Sequence, residues 1–332
     1  MSFKALWVTE VSDGKFERSI VDREIEDLPA GELLVRVHYS SLNYKDAMSA
    51  TGNKGITRKY PHTPGIDAAG VVEISRSEHF ATGDRVVITG NDLGMNTSGG
   101  FAEYIRIPAT WAVQAPTQYS LSECMAIGTA GFTAALALMK MENLGVIPCD
   151  KPVVVTGATG GVGSLAVAIL AKAGYEVTAV TGKSEVTEYL QNLGATTIKD
   201  RSYVNDESGK NLIRPQWCAA IDTVGGNVLA TLLKGCQPEG CIVSTGLVGS
   251  PELHTTVYPF ILNGVSLLGV GSAGTPLETR KLVWEKLNKE WLIQEKLSSI
   301  IKMIGLDELK EHYIESILEG RNIGRVVVSL ID

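Results

Sequence analysis

Only five cysteines occur in 332 residues, at positions 124, 149, 218, 236 and 241, and no two form a Cys-x-x-Cys pair. An odd, scattered set excludes a disulfide framework and points to reduced, mostly buried thiols in a reducing compartment. Histidine is as scarce, with five residues. His38, His62 and His79 have no cysteine company, and the first 123 residues contain no cysteine at all. Tetrahedral zinc needs three or four converging thiolate or imidazole ligands, so no metal site is expected. Long apolar runs are missing too. The longest apolar helical candidate, 132–141, is interrupted by Thr133 and Lys140, well short of the roughly 18 residues that span a bilayer. The first ten residues lack the apolar core of a signal peptide, which leads us to expect a cytoplasmic protein. Nor is there an excess of basic charge. The net charge of −7 argues against nonspecific nucleic-acid or anionic-membrane partners, while leaving room for a local basic pocket.

What is present most clearly is a strand, a glycine-rich turn and a helix in direct succession. Val153-Val154-Val155-Thr156 is a β-branched run, and Gly157-Ala158-Thr159-Gly160-Gly161-Val162-Gly163 follows it. An apolar helical stretch then runs to Gly174, and a second strand-like run occupies 176–181. This is the start of a βαβ unit with phosphate-binding chemistry at its first turn. Glycines let the backbone approach a pyrophosphate, and the helix N-terminus offers free N–H groups to the negative charge. Ala158 stands where the first glycine of G-x-G-x-x-G usually sits, so the pattern is A-x-G-x-x-G. The alternative is a turn that merely packs helix on strand.

The choice of dinucleotide is read at the end of the second strand. An NAD site usually carries Asp or Glu roughly 20 residues into the unit, bonded to the ribose 2′-OH. Here the stretch is Thr181-Gly182-Lys183-Ser184, with no acid between Val177 and Ser184. An ammonium, two hydroxyls and open backbone suit a 2′-phosphate, which favours NADPH. A solvated lysine capping a loop is the plainer alternative.

The first ~120 residues read as short strands between Gly and Pro turns, at 33–39, 69–74, 85–89 and 102–107. Ser120-Leu121-Ser122-Glu123 has the form of a capping box that opens a helix. From there strands at 153–156, 176–180, 197–199, 219–223, 241–245 and 266–269 alternate with helical patterns. Six strands with intervening helices predict an α/β fold with a doubly wound parallel sheet. A helix follows Thr275-Pro276, another lies near 306–319, and a last β-run occupies 325–331. That solitary strand needs partners, and the first β-rich region is its expected host. The nucleotide domain, 123–296, is then an insertion between 1–122 and 297–332.

This order, together with several sequence blocks, resembles the medium-chain dehydrogenase/reductase superfamily. Within it the chain resembles the zinc-free YhdH/YhfP-type quinone oxidoreductases, the group that includes bacterial acrylyl-CoA reductase. The blocks are 41–46, Pro64-Gly65-Ile66-Asp67 through Gly70, 128–134, 156–163, 222–225, 256–261 and Gly324-Arg325. The resemblance implies a GroES-like catalytic domain holding a Rossmann domain, and a homodimer paired through the sixth strands near 266–269. Zinc-dependent members place a Cys and a His-Glu pair where this chain has Asn43-Tyr44-Lys45-Asp46 and Gly65-Ile66-Asp67. The implied chemistry is metal-free hydride transfer from NADPH to the activated C=C of a small α,β-unsaturated acyl thioester such as acryloyl-CoA. Quinone or enone reduction is the alternative, and a non-catalytic NADPH-binding or sensing protein is the alternative from another class.

By the same resemblance the nicotinamide faces the 43–46 loop. Tyr44 is the candidate acid or oxyanion donor, Asn43 offers an amide N–H to the substrate carbonyl, and Asp46 orients Tyr44, Lys45 or Asn43. An Asx-type turn, with Asn43 and Asp46 bonding their own backbone, is the other reading of this loop. Arg325 is expected to reach back to substrate or cofactor, against a solvated arginine at a strand edge. Cofactor contacts are expected from Thr129, Ala158, Thr159, Gly160, Gly161, Val162, Gly163, Thr181, Gly182, Lys183, Ser184, Thr223, Thr245, Gly246 and Ser272. Arg58, Lys59 and Lys54 are the basic residues available for the phosphates of a coenzyme A thioester.

Overall fold

The structure is a computed structural model and describes residues 1–331. The chain opens with an antiparallel hairpin, β1 (Ser2–Ser12) and β2 (Lys15–Glu24), closed at Gly14 with φ 70°. The expected strands then follow as β3 (Leu33–Ser41), β4 (Asp67–Ser75), β5 (Arg85–Thr89) and β6 (Tyr104–Ile107), with a short β7 (Ala112–Gln114). Between β3 and β4 sits a two-turn helix, α1 (Tyr44–Ala50). Helix α2 (Leu121–Asn143) begins at the expected box, Ser120 N donating to Glu123 Oε2 at 2.7 Å and Glu123 N to Ser120 Oγ at 3.2 Å. α2 is longer than the apolar segment anticipated and is long and apolar enough to cross a membrane, but 89% of its apolar window is buried inside the protein.

The middle of the chain alternates β8 (Val153–Thr156), α3 (Gly161–Lys172), β9 (Val177–Val180), α4 (Thr187–Leu193), β10 (Thr197–Lys199), β11 (Trp217–Asp222), α5 (Gly226–Lys234), β12 (Cys236–Ser244), α6 (Tyr258–Asn263) and β13 (Ser266–Gly269). Gly194 closes α4 in a left-handed cap, φ 113°, as its position predicts. The six strands form one parallel sheet in the order β10-β9-β8-β11-β12-β13. The order reverses between β8 and β11, the switch point where open α/β sheets bind ligands. Every residue of β8, β9 and β11 is buried, as central parallel strands require.

The tail carries α7 (Leu277–Asn288), α8 (Gln294–Ile300), β14 (Ile301–Ile304), a helical stretch over 306–318 and β15 (Arg325–Ser329). β15 joins the first region's sheet, in the order β14-β15-β3-β4-β5-β7, with β6 also on β3. It pairs antiparallel to β3 (Val327 with Ser41, Ser329 with Tyr39), so the solitary strand finds the expected host.

The chain divides into two compact units, Met1–Thr129 with Ser272–Asn288 and Ile300–Asp332, and Ala130–Gly271 with Lys289–Ser299. The expected insertion, 123–296, differs from this division: 123–129 and 272–288 belong to the first unit, and 297–299 to the second. Thr129 stays with the first unit because its N–H and hydroxyl both bond Asp67. Residues 272–288 stay because Arg280, 1% exposed, donates to Thr89 O and to the carbonyls of Ser272, Ala273 and Thr275. The first unit's core is built on Leu33, Val35, Val37, Val86, Ile88 and Val328. The second unit's includes Val154, Trp217, Ala220, Leu232 and Ile242.

Candidate active site

In the first unit the 43–46 loop is the start of α1. Asn43 is its N-cap and Asp46 its third residue, and Asp46 Oδ2 accepts from Asn43 N at 2.8 Å. Asp46 Oδ1 accepts from Ile66 N at 2.7 Å, which fastens the helix to the segment entering β4. Asp67, the first residue of β4, is fully buried. Its Oδ2 takes hydrogen bonds from Ser41 Oγ (2.7 Å), Asn43 Nδ2 (2.8 Å) and Thr129 N (2.9 Å), and its Oδ1 takes one from Thr129 Oγ1 (2.5 Å). Arg325 opens β15, 2% exposed. It donates through Nε to Ala126 O, through Nη1 to Leu42 O and Asn43 Oδ1, and through Nη2 to Ser41 Oγ, and lies 3.8 Å from Asp67 Oδ2.

Two buried carboxylates thus share one buried guanidinium. Burial, and then the Asp67 charge, push the Asp46 carboxyl up to about 7, against the hydrogen bonds from Asn43 and Ile66. Burial lowers Arg325, opposed by Asp67 and Asp46. The backbone must leave room for this cluster. At Gly128 the helix breaks (φ 49°, ψ −156°), and a Cβ there would lie 2.6 Å from Asp67 Oδ2 and 3.0 Å from Arg325 Nη2.

This geometry corrects two expectations, for Asn43 and Arg325, and selects among the partners of Asp46. The Asn43 Nδ2 group already faces Asp67, Asp46 (3.2 Å) and Ser41 O (3.2 Å), and its Oδ1 faces Arg325, so no amide hydrogen is left for a substrate carbonyl. Of the three partners considered for Asp46, its carboxylate holds Asn43, together with the backbone as in the Asx-type alternative. Arg325 is buried within this network instead of reaching outward. What the loop presents outward is Tyr44, 40% exposed, and Lys45 beside it. Ser41 and Asp67 were missed as members of the cluster. Asp67 had a signal, being the one charged residue in a buried run from Ile66 to Gly70.

In the second unit the turn after β8 has the shape a pyrophosphate requires. Gly157 has φ 57°, and a Cβ on it would sit 2.3 Å from Thr223 Oγ1. Ala158 is fully buried and Thr159 nearly so. Gly163 packs α3 against the turn, where a Cβ would meet Gly157 O at 2.2 Å. Gly160 caps α3 without a side-chain bond, so the first-turn N–H groups of Gly161, Val162 and Gly163 have no side-chain acceptor. An anion fits there.

The loop after β9 fits a 2′-phosphate. Thr181 Oγ1 accepts from Lys183 N at 3.1 Å. A Cβ on Gly182 would lie 2.3 Å from Arg201 Nε, so the guanidinium rests on this glycine. Burial holds the Lys183 ammonium below its usual value; Arg201 pushes the same way and Glu185 opposes it. Ser184 Oγ donates to Glu185 Oε2 at 3.2 Å. Arg201 was missed in the sequence. It follows β10, which lies beside β9, and that adjacency was its only signal.

Thr223 and Thr245 tie strand ends together. Thr223 Oγ1 donates to Thr156 O (3.0 Å) and Thr245 Oγ1 to Asp222 O (2.9 Å), and a Cβ on Gly246 would lie 2.5 Å from Thr223 O. Thr245 and Gly246 line a cleft of about 280 Å³ with Gly225, Gly226 and Leu247. Ser272 falls in the first unit, its carbonyl held by Arg280.

The Asp46 proton has a measurable consequence. Its folded pKa is raised, so the folded protein binds a proton that the unfolded chain has lost. The stabilisation is full below the ordinary carboxyl value near 4 and fades as pH rises through about 7. A carbon-13 carboxyl titration by NMR is expected to show one buried aspartate titrating near 7 that disappears in Asp46→Asn; its absence from the wild type would remove this assignment.

Comparison with known proteins agrees with both halves. Residues 29–117 match the alcohol dehydrogenase GroES-like domain and 161–289 the zinc-binding dehydrogenase family. YhfP of Bacillus subtilis is 44% identical over 305 residues, 92% of each chain, and its crystal structure with NAD bound superposes with a TM-score of 0.95. Acrylyl-CoA reductase AcuI of Ruegeria pomeroyi is 42% identical over 329 residues, 99% of each chain. The yhdH oxidoreductase of Salmonella enterica, solved in complex with NADP, is 42% identical with a TM-score of 0.94 over 100% of both chains. With matches of this depth over nearly its whole length, the chain belongs to the medium-chain dehydrogenase/reductase superfamily, in the family of YhdH/YhfP-type quinone oxidoreductases and acrylyl-CoA reductases.

Proposed function

We propose that this oxidoreductase uses NADPH to reduce the activated C=C of a small α,β-unsaturated acyl thioester, acryloyl-CoA-like, without zinc. The observation that carries the cofactor is the pair of cations, Lys183 and Arg201, at a ribose loop without an acid at its strand end. The relative named acrylyl-CoA reductase, 42% identical over 99% of both chains, supports the substrate class. Asn43-Tyr44-Lys45-Asp46 and Gly65-Ile66-Asp67, standing where zinc-dependent members carry a Cys and a His-Glu pair, support the zinc-free reading.

Bound NADPH supplies the hydride for the β-carbon. The chain's own residues then have to hold the acyl carbonyl and deliver a proton. Tyr44 is the exposed donor of the loop: its single hydroxyl hydrogen either bonds the oxygen on which negative charge grows or is transferred to the α-carbon, leaving a phenolate that is reprotonated from water. Asn43, Asp46 and Arg325 are positioning residues that hold α1, and with it Tyr44. For the coenzyme A phosphates, Lys54 is engaged already, 2.6 Å from Glu10 and over the rings of Phe16 and Tyr60. Exposed Arg58 and Lys59 remain.

The exposed apolar residues Leu247, Val248, Val257, Ile261 and Leu262, with the unpaired edge of β13, support a homodimer built on that strand. Five unpaired thiols suit a cytoplasmic setting.

With acryloyl-CoA and NADPH, oxidation followed at 340 nm is expected to show a far higher kcat/KM than with 1,4-benzoquinone; turnover of the quinone alone would move the assignment to quinone reduction. Tyr44→Phe is expected to lower kcat by roughly 100-fold, and an unchanged rate would remove Tyr44 from the proton-donor role. Arg201→Leu should raise the KM for NADPH about 10- to 100-fold, the loss of one charge-assisted contact, while leaving NADH kinetics unchanged. An equal loss with both cofactors would place Arg201 outside the 2′-phosphate site. Light scattering is expected to give twice the 35.5 kDa chain mass, and Ile261→Asp should halve it; a monomeric wild type would refute the dimer.

A further inference from the structure

The phosphate turn lies at the C-terminal ends of the parallel strands. At their N-terminal ends, away from any role described above, two thiols converge. Cys149 lies just ahead of β8 and is exposed, whereas Cys218, the second residue of β11, is buried. Both donate to a single acceptor, the main-chain oxygen of Lys151, Cys149 Sγ at 3.5 Å and Cys218 Sγ at 3.2 Å. The strand register fixes this meeting: Ala219 pairs with Val153, and Cys218 N donates to Pro152 O at 3.1 Å. Cys236 is close as well, but its Sγ is turned to the Cys218 carbonyl rather than to the sulfur.

We propose that Cys149 and Cys218 are a redox pair that closes to a reversible disulfide when the protein meets a peroxide. The exposed Cys149 thiolate attacks one peroxide oxygen; the S–O bond forms, the O–O bond breaks, and the leaving hydroxide takes up a proton as water. Cys149 is oxidised by two electrons to a sulfenic acid and the peroxide is reduced. The Cys218 sulfur then attacks the sulfenic sulfur, forming S–S and breaking S–O, and its proton leaves with the hydroxyl as a second water.

The environment sets the order of events. Burial pushes the Cys218 thiol up to about 12, and the neighbouring Cys149 sulfur adds to that rise. Cys218 is therefore unreactive at first. The resulting bond would enclose β8, α3, β9, α4 and β10, including the phosphate turn and the Lys183 loop, while touching none of their ligand-facing groups.

The test is to treat the purified protein with hydrogen peroxide, alkylate it under denaturing conditions, and map its tryptic peptides. A linked peptide pair joining Cys149 to Cys218, two hydrogens lighter than its parts and released by dithiothreitol, is expected. Titratable thiols in the denatured protein should fall from the five of the sequence by two, and should not fall in this way in Cys149→Ser. The oxidised wild type should melt roughly 5 °C higher, given the long loop enclosed, with NADPH turnover unchanged. Cys149 accumulating as sulfinic acid beside a free Cys218, a linkage through Cys236 or Cys241, or a Cys149–Cys149 bond between chains would each overturn the proposal.

Discussion

One carboxamide holds the catalytic unit together. Asn43 donates to both buried carboxylates, Asp67 and Asp46, and accepts from the buried guanidinium of Arg325. Ions removed from water are tolerable only when every lone pair and proton finds a partner, and removing one partner of such a set costs about 3–5 kcal/mol. The cluster draws on β3, α1, β4, the Gly128 break and β15, so the arrangement of those five segments follows from satisfying it. The negative charge it carries in excess is relieved by the proton that Asp46 retains.

The two units use opposite means to present function. In the catalytic unit, charged side chains are turned inward and one phenol is left outside. In the nucleotide unit, side chains are mostly removed. Gly157, Gly160 and Gly163 clear the backbone for an anion, and charge appears only at the ribose loop. The hydroxyls of Thr156 and Thr245 bond Asp222 and that of Thr223 bonds Thr156 O, which keeps the strand ends in register around that cleared space. Burial raises the Asp222 carboxyl, and bonds from Thr156, Gly225 and Val224 counter it.

Local patterns were readable wherever they determine local structure. The β8 turn and α3, the Ser120–Glu123 box and the alternation of six strands with helices follow from runs, caps and glycines a few residues apart. The β1–β2 hairpin was not legible, because Lys15 to Glu24 alternates charged and half-buried residues without a clear apolar face. The role of Arg325 was undecidable along the chain: its partners, Ser41, Asn43 and Asp67, lie more than 250 residues away, and only the pairing of β15 with β3 brings them together. Arg201 was hidden for the same reason on a smaller scale. Asn43 was correctly singled out as important, yet its chemistry was misjudged, since nothing local reveals that its amide is already engaged.

The position of β15 bears on the order in which the protein is made. The nucleotide unit is almost contiguous along the chain, apart from residues 289–299, so most of it can form as it leaves the ribosome. The catalytic unit cannot. Asp46 and Asp67 emerge some 250 residues before Arg325, and until then their carboxylates have no cation to share. The nascent catalytic half must keep them hydrated and its sheet open at β3. Its final closure is therefore tied to β15, which is translated after the half that binds the nucleotide is already in place.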